Sequence, residues 1–310
     1  MTVSDGSQVR LADVSEVTPG TIPANPSFQT MRYVTSDVRV AKQADIPNEV
    51  REDRNVSDIV DVGRMVQGTV NTLLSYGTFD TWLSRLFCAD WSANVLKNGI
   101  LDKTATLETR FKQGAMSSYI RYRGVRFNTL DLTLRARQSI QANWGIMGLG
   151  SPTPTTAILA GATYAAATTT PVLNAGLNVG SLLVSGITNS PRMQALTMRI
   201  NNNIYQMDEL GAYEPLGHGL GRFEVTGTMT TYFENLDTYK AILDHTDVKL
   251  SFAMTDGLGN SYTIALEKVK LLDGGPPGSG NGGPVIMEVP FQAIFDPTTA
   301  ASMVITRAPA

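Results

Sequence analysis

A chain of 310 residues with 42% hydrophobic and 17% charged residues has the composition of a globular protein, long enough for one large or two ordinary cores, so wholesale disorder is excluded. A net charge of −3 weighs against a protein that grips nucleic acid, because phosphate binding needs a basic face. The single cysteine, Cys88 in the apolar run Leu86-Phe87-Cys88, excludes an intramolecular disulfide, and two histidines beside it leave little for a zinc site. The sequence opens without a charged segment followed by an apolar run, and its low-charge stretches are punctuated by Gly, Pro and Thr. Neither a signal peptide nor a membrane span is therefore expected, and the chain is expected to be made and kept in a cytoplasm.

Residues 1–26 are polar and carry Pro19, Gly20, Pro23 and Pro26, which predicts an extended N-terminal arm. From Phe28 the pattern changes to short alternating or β-branched segments. Strands are predicted at Gln29–Val38, Met65–Leu74, Leu107–Phe111, Ser118–Phe127, Leu130–Ala136 and Ile140–Met147, within a first domain spanning 27–150. Between the first two lies a crowded charged run, Asn48–Asp61, whose Glu49, Arg51, Glu52, Asp53, Arg54, Asp58 and Asp61 place it outside the core as a solvated or docking loop. A short amphipathic helix is predicted over Thr78–Phe87, where Phe79, Leu83, Leu86 and Phe87 recur at helical spacing behind Thr78 as N-cap. Residues 151–190, rich in Ala, Thr and Gly, read as a connector that packs in part. A second domain, 191–310, then repeats the order. Its strands are Ala195–Ile204, Arg222–Phe233, Val248–Met254, Ser261–Lys270 and Val285–Phe295, and its helix carries Leu236, Tyr239, Ile242 and Leu243 behind Asn235 as cap.

The repeat is visible residue by residue. Val66-Gln67-Gly68-Thr69-Val70-Asn71-Thr72-Leu73-Leu74 matches Val225-Thr226-Gly227-Thr228-Met229-Thr230-Thr231-Tyr232-Phe233, 159 positions on. Phe79-Asp80-Thr81-Trp82 matches Leu236-Asp237-Thr238-Tyr239, 157 positions on, each opening a helix. A duplicated chain carries a symmetry consequence. If one such domain closes rings of six, a chain holding two closes the same ring with three copies through heterologous contacts.

Catalytic chemistry finds no foothold, and no cofactor or metal is expected. His218 and His245 have no nucleophile or acid partner at motif spacing, and neither G-x-S-x-G nor HExxH occurs. Gly217-His218-Gly219-Leu220-Gly221 only superficially resembles a phosphate-cradling loop, since it lacks a parallel βαβ setting. Asp256-Gly257-Leu258-Gly259-Asn260 is explained as a hairpin turn without calcium. Tyr119, Arg121, Tyr122, Arg123 and Arg126 interleave aromatic and basic residues, but strand alternation divides them between two faces, and neighbouring acids can pair with the arginines across a subunit contact.

The segment Thr18–Val38 (TPGTIPANPSFQTMRYVTSDV) resembles the start of the tail tube proteins, the major tail proteins of long-tailed, non-contractile bacteriophages. Asn48–Gly63, Ser75–Leu83, Tyr122–Leu134 and Asn143–Gly150 continue the resemblance in order, and Gly221–Glu234, Val289–Asp296 and Ile305–Arg307 extend it through the second half. The resemblance implies a mainly β fold of two tandem tube-type β-sandwich domains, each with one short helix. Each half would contribute to a continuous barrel around a lumen. It further implies a non-enzymatic virion protein, assembled in the host cytoplasm and located in the tail. Its copies would stack as rings, trimeric with pseudo-sixfold symmetry or alternatively hexameric. Tape measure and tail terminator proteins would be its partners, and double-stranded DNA would pass without specific binding. The competing reading is a virion β-sandwich of another kind, carbohydrate-binding or hydrolytic.

Four strands from each of six half-chains would give about 24 strands. At ~4.8 Å spacing and ~40° tilt they close a barrel of roughly 48 Å backbone diameter and a bore near 38 Å, wide enough for a duplex. A lumen should carry small polar or acidic side chains, because each Lys or Arg paired with phosphate would brake the passing polyanion. Glu224, Thr226, Thr228 and Thr230, with Gln67, Thr69 and Asn71 in the corresponding places of the first half, are the expected lumenal residues. The charged residues of Asn48–Asp61 are the expected docking set.

Overall fold

The structure, a computed structural model, describes residues 3–180, 182–278 and 280–310. Its elements in chain order are β1 (Arg10–Ser15), β2 (Ser27–Met31), β3 (Thr35–Ser36), β4 (Arg39–Asp45), β5 (Val60–Leu73), α1 (Asp80–Leu86), β6 (Val95–Lys97), β7 (Ala105–Gln113), β8 (Met116–Arg135) and β9 (Gln141–Gly148). They continue as β10 (Thr163–Ala165), β11 (Leu183–Ser185), β12 (Met193–Asn201), β13 (Tyr205–Met207), β14 (Gly217–Gly219), β15 (Glu224–Tyr232), α2 (Asp237–Leu243), β16 (Asp247–Thr255), β17 (Ser261–Leu271), β18 (Ile286–Ala293) and β19 (Val304–Ala308). The fold is mainly β, as the alternating segments predict.

Two layers enclose the core. One runs β4–β5–β9–β8–β12–β15–β18, with the end of β17 beyond, and every junction is antiparallel. The other layer is built in two pieces, β10–β2–β1–β7–β8 under the first half and β11–β16–β17–β19–β6 under the second. One hydrophobic cluster runs through both halves, from Leu11 and Trp82 to Phe291 and Ile305.

Register exposes how closely the halves correspond. On β5, Thr35 lies opposite Asn71, Ser36 opposite Val70, Arg39 opposite Gln67 and Val40 opposite Val66. On β15, Ala195 lies opposite Thr230, Leu196 opposite Met229, Arg199 opposite Thr226 and Ile200 opposite Val225. With the 159-residue match between β5 and β15, these are the same four positions, so β3 and β4 together are an interrupted copy of β12. The matched glycines have a shared cause. A Cβ on Gly68 would lie 2.5 Å from the Val38 Cα, and one on Gly227 would lie 2.4 Å from the Thr197 carbonyl oxygen. Both halves bring a neighbouring backbone against that point.

The cores differ. In the first half α1 drives Phe79 and Trp82 against Phe127 and Trp144, with ring centroids 4.9 to 5.8 Å apart. In the second half Leu236 and Tyr239 replace Phe79 and Trp82, and Val289 stands on β18 where β9 has Trp144. The second helix is correspondingly looser: Leu236 and Leu243, expected on its apolar stripe, are exposed, while Tyr239 and Ile242 are half-buried.

Several expectations are corrected. The N-terminal arm is extended but not free, because its middle forms β1, wedged between β2 and β7. Leu11, Ala12 and Asp13 are buried there, and Asp13 pairs with Arg85 of α1. Residues 1 and 2 lie outside the described residues. Ser118–Phe127 and Leu130–Ala136 are one 20-residue strand, which passes between the layers at a bulge near Phe127–Thr129. Thr78 does not cap α1; its hydroxyl bonds Ser75 and Thr168 at 2.6 Å, tying the connector to the helix start. Asn235 does accept the Asp237 amide at 2.9 Å, one place from the expected cap geometry. The connector is laced into the fold by β10 and β11, with Leu173 and Val184 buried; Ser181 lies outside the described residues.

Two consequences can be measured. Gly68→Ala and Gly227→Ala should each cost about 1–3 kcal/mol in urea unfolding, and Trp144→Ala about 3–5, whereas Thr228→Ala on the opposite face should cost little. His218, buried on β14 with both ring nitrogens unpartnered, has its pKa pushed down to about 4 by burial, with Arg126 adding to the effect. The unfolded chain takes up this proton near pH 6.5 and the folded chain only near 4, so acidification across that window favours unfolding. His218→Leu should flatten the fall of Tm over that range.

Candidate functional site

The seven-strand layer has two unlike faces. Alternation sends Val66, Val70, Trp144, Leu132, Met198, Val225, Met229 and Phe291 into the core. The residues between them cover the outer face. Because β8 pairs with β12 from Thr129–Asn201 to Arg135–Ala195, alternation stays in phase across the boundary between halves, and the outer faces merge into one. Gln67, Thr69 and Asn71 on β5 and Glu224, Thr226, Thr228 and Thr230 on β15 all lie on it, and none is buried. Asn143, Asp131, Thr133, Thr197 and Gln292 extend the same surface across the intervening strands. Over β8, β12, β15 and β18 it carries a shallow depression lined by Asp131, Thr133, Thr197, Arg199, Thr226 and Thr228.

Some charges on this face are matched, while Arg39, Arg135 and Glu288, which register places on the same face, are exposed and have no ion-pair partner among the described residues. Arg199 lies 3.7 Å from Asp131 across the β8–β12 junction, and Arg222 pairs with Glu224. Partial burial raises the Asp131 carboxyl above its ordinary range, with Arg199 opposing, while the Arg222 guanidinium holds Glu224 below it. Paired cations of this kind offer little to a phosphate.

The charged loop forms the far end of the β4–β5 hairpin. Glu49, Arg51, Glu52, Asp53, Arg54, Asp58 and Asp61 are all exposed. Arg51 bonds Asp53 at 2.9 Å and Lys42 bonds Asp61 at 2.9 Å. The Asp53 carboxyl is held far below its ordinary range, chiefly by Arg51, and Asp61 is lowered by the Tyr213 hydroxyl and then Lys42. Much of the charge is thus locally neutralised. What the charge pattern conceals is the apolar content of this hairpin: Ile46, Val50, Val56, Ile59, Val60 and Val62 are exposed, Val50 fully. Together these side chains leave apolar area in water at the end of one hairpin.

The aromatic and basic run on β8 is not a surface platform. Tyr119 and Tyr122 are buried, and Arg121 and Arg126 are satisfied inside the chain rather than across a subunit contact. Arg121 and Arg10 converge on the fully buried Glu108, each at 2.9 Å, and Tyr164 donates to the same carboxylate at 2.8 Å. Arg126 meets Asp102 at 2.7 Å, and Arg123 meets Glu214. The Asp256–Asn260 segment is a turn, with the Asp256 carboxylate accepting the Leu258 and Asn260 amides at 2.8 and 2.9 Å. Among the described residues, no group of three or more His, Cys, Asp or Glu is placed to hold a metal ion, and no helix is long and apolar enough to cross a membrane.

No curated protein matches the chain. A family model described as phage tail tube protein matches residues 6–293, nearly the whole length and both repeats. The chain belongs to the phage tail tube protein family.

Proposed function

We propose that this structural tail protein self-assembles into stacked rings whose joined polar faces line the conduit for genome delivery. The observation that carries the reading is the sheet that continues through the β8–β12 junction with its phase intact, leaving one polar face and, among the described residues, a free edge along β4. Counting β3 and β4 as one strand, each chain offers eight to the wall, the last being the end of β17, where Val269–Leu271 pairs with Phe291–Ala293 of β18. Three chains then give about 24 strands, the number that closes a barrel of roughly 48 Å backbone diameter at the usual spacing and tilt.

On this reading the two halves act as tandem tube domains, and a ring holds three chains with pseudo-sixfold symmetry. Gln67, Thr69, Asn71, Glu224, Thr226, Thr228 and Thr230 face the lumen, where short neutral or acidic side chains let a polyanion pass without binding. The β4–β5 hairpin reaches the next ring, its valines and isoleucines supplying buried area and its charged residues setting register. Tail proteins at the ends of the tube meet the same two ring surfaces, and assembly takes place in the host cytoplasm.

Electron microscopy of the purified protein tests the assembly. Hollow tubes with six similar lobes and only threefold exact symmetry are expected. Exact sixfold symmetry would overturn the tandem-domain ring, and chains that stay monomeric across salt and nucleator conditions would overturn the tube itself. Val50→Asp with Val56→Asp should leave the monomer's Tm within about a degree or two yet abolish stacking, because both side chains are already in water in the single chain. Thr228→Arg should assemble normally and slow DNA delivery, measured as ejection rate from complemented virions, with the slowing relieved at higher salt.

A further inference from the structure

We infer that the free edge of β3 and β4 pairs with the Leu272–Gly275 segment of a second copy, in the register that β12 takes against β8 within one chain. The inference rests on the ring reading and adds to it the residues of the chain-to-chain seam. Its basis is the internal repeat. β3 and β4 hold the positions on β5 that β12 holds on β15, but the side of β12 turned away from β15 is covered by β8, while β4 is paired on one side only. An unpaired strand of this length is a template for another chain.

The covering segment can be located in the same way. Beside β9, Thr129 lies opposite Gly145 and Asp131 opposite Asn143. Beside β18, Leu271 lies opposite Phe291, the Leu272 amide donates to the Pro290 carbonyl at 2.9 Å, and Gly274 lies against the Glu288 carbonyl. Since Gly145 corresponds to Pro290 through their partners Thr69 and Thr228, Leu272 takes the place of Thr129 and Gly274 that of Asp131. Within the chain Thr129 meets Asn201 and Asp131 meets Arg199. Between chains Leu272 therefore meets Ala41, and Gly274 meets Arg39.

Side-chain chemistry fits this seam. Leu272 is 54% exposed, an apolar side chain at an open edge that a neighbour would cover. Arg39, the counterpart of Arg199, is exposed and has no carboxylate partner among the described residues, and Glu288 likewise has no cationic partner there. Gly274 carries no side chain, so Arg39 can reach across it to Glu288 on the strand beyond. The Arg199–Asp131 pair of the internal junction is thereby replaced by an Arg39–Glu288 pair one strand further on.

The test uses the full chain. Ala41→Cys with Leu272→Cys, assembled and then oxidised, should give a ladder of disulfide-linked chains on a non-reducing gel, and either substitution alone should not. Cys88 stays silent because it is buried and its thiol is pushed up to about 11 by desolvation. Arg39→Glu should raise the protein concentration needed for assembly about tenfold, and adding Glu288→Arg should restore it. Tubes that form without a ladder would overturn this seam and leave the ring reading intact; a wild-type chain that never assembles would sink both. Should the cysteine variant fail to fold, hydrogen exchange on the wild type decides. Amides of Arg39–Asp45 and Leu272–Gly275 gain protection on assembly if the seam is right, and unchanged exchange there in assembled tubes overturns it.

Discussion

The pairing of Thr129–Arg135 with Ala195–Asn201 is the constraint on which the rest of the molecule depends. A sheet has a side-chain period of two, so a slip of one residue at this junction would send the core residues of one half to the surface of the other. With the observed register, Leu130, Leu132 and Leu134 point inward alongside Leu196, Met198 and Ile200, and Asp131 and Thr133 point outward beside Arg199 and Thr197. The two repeats thus share one core and one polar surface. A long strand is needed to do this: β8 begins in one layer, paired with β7, and ends in the other between β9 and β12.

Around that junction the halves have been stabilised by different means. The first buries an aromatic cluster under α1 and fastens it with buried charge. Asp13 and Arg85 join β1 to the helix, and Glu108 gathers Arg10, Arg121 and Tyr164 from three other strands. Such ions are costly to bury and strongly destabilising to leave unpaired, so they fix which strands lie together more than they add net stability. The second half packs aliphatic residues with Phe252, Tyr262 and Phe291 between β15, β18 and the β16–β17 hairpin, and its helix leaves Leu236 and Leu243 in water. The two halves therefore present non-equivalent helix-side surfaces, the first covered by a buried helix and the second by a looser one.

The exposed features follow one logic. On the proposed assembly, the free edge of β4 and the exposed apolar side chains of the β4–β5 hairpin are left for neighbouring copies to cover, and the single chain must stay soluble until they arrive. On β4 the exposed Lys42, Gln43 and Asp45 blunt the free edge, and on the hairpin ion pairs such as Arg51–Asp53 sit among the exposed valines. These charges oppose indiscriminate pairing while leaving an oriented contact accessible.

How much of this could be read in the residues depended on the range of the interaction. Alternation is local, so most strands, the helix positions and the polar outer residues of β5 and β15 were legible in the sequence, as was the match of Val66–Leu74 to Val225–Phe233. The strand β1 was not legible, because a segment holding Arg10 and Asp13 among prolines and polar residues reads as solvated until Arg85 and Glu108, distant in sequence, neutralise it. The apolar side of the β4–β5 hairpin was masked by its charges, which neutralise one another only once the chain has turned. Residue type and side-chain period were enough to specify a β protein with a matched strand in each half and one polar face on each. That the two faces are one emerges in three dimensions alone, because the β8–β12 register is a long-range choice set by the shared core.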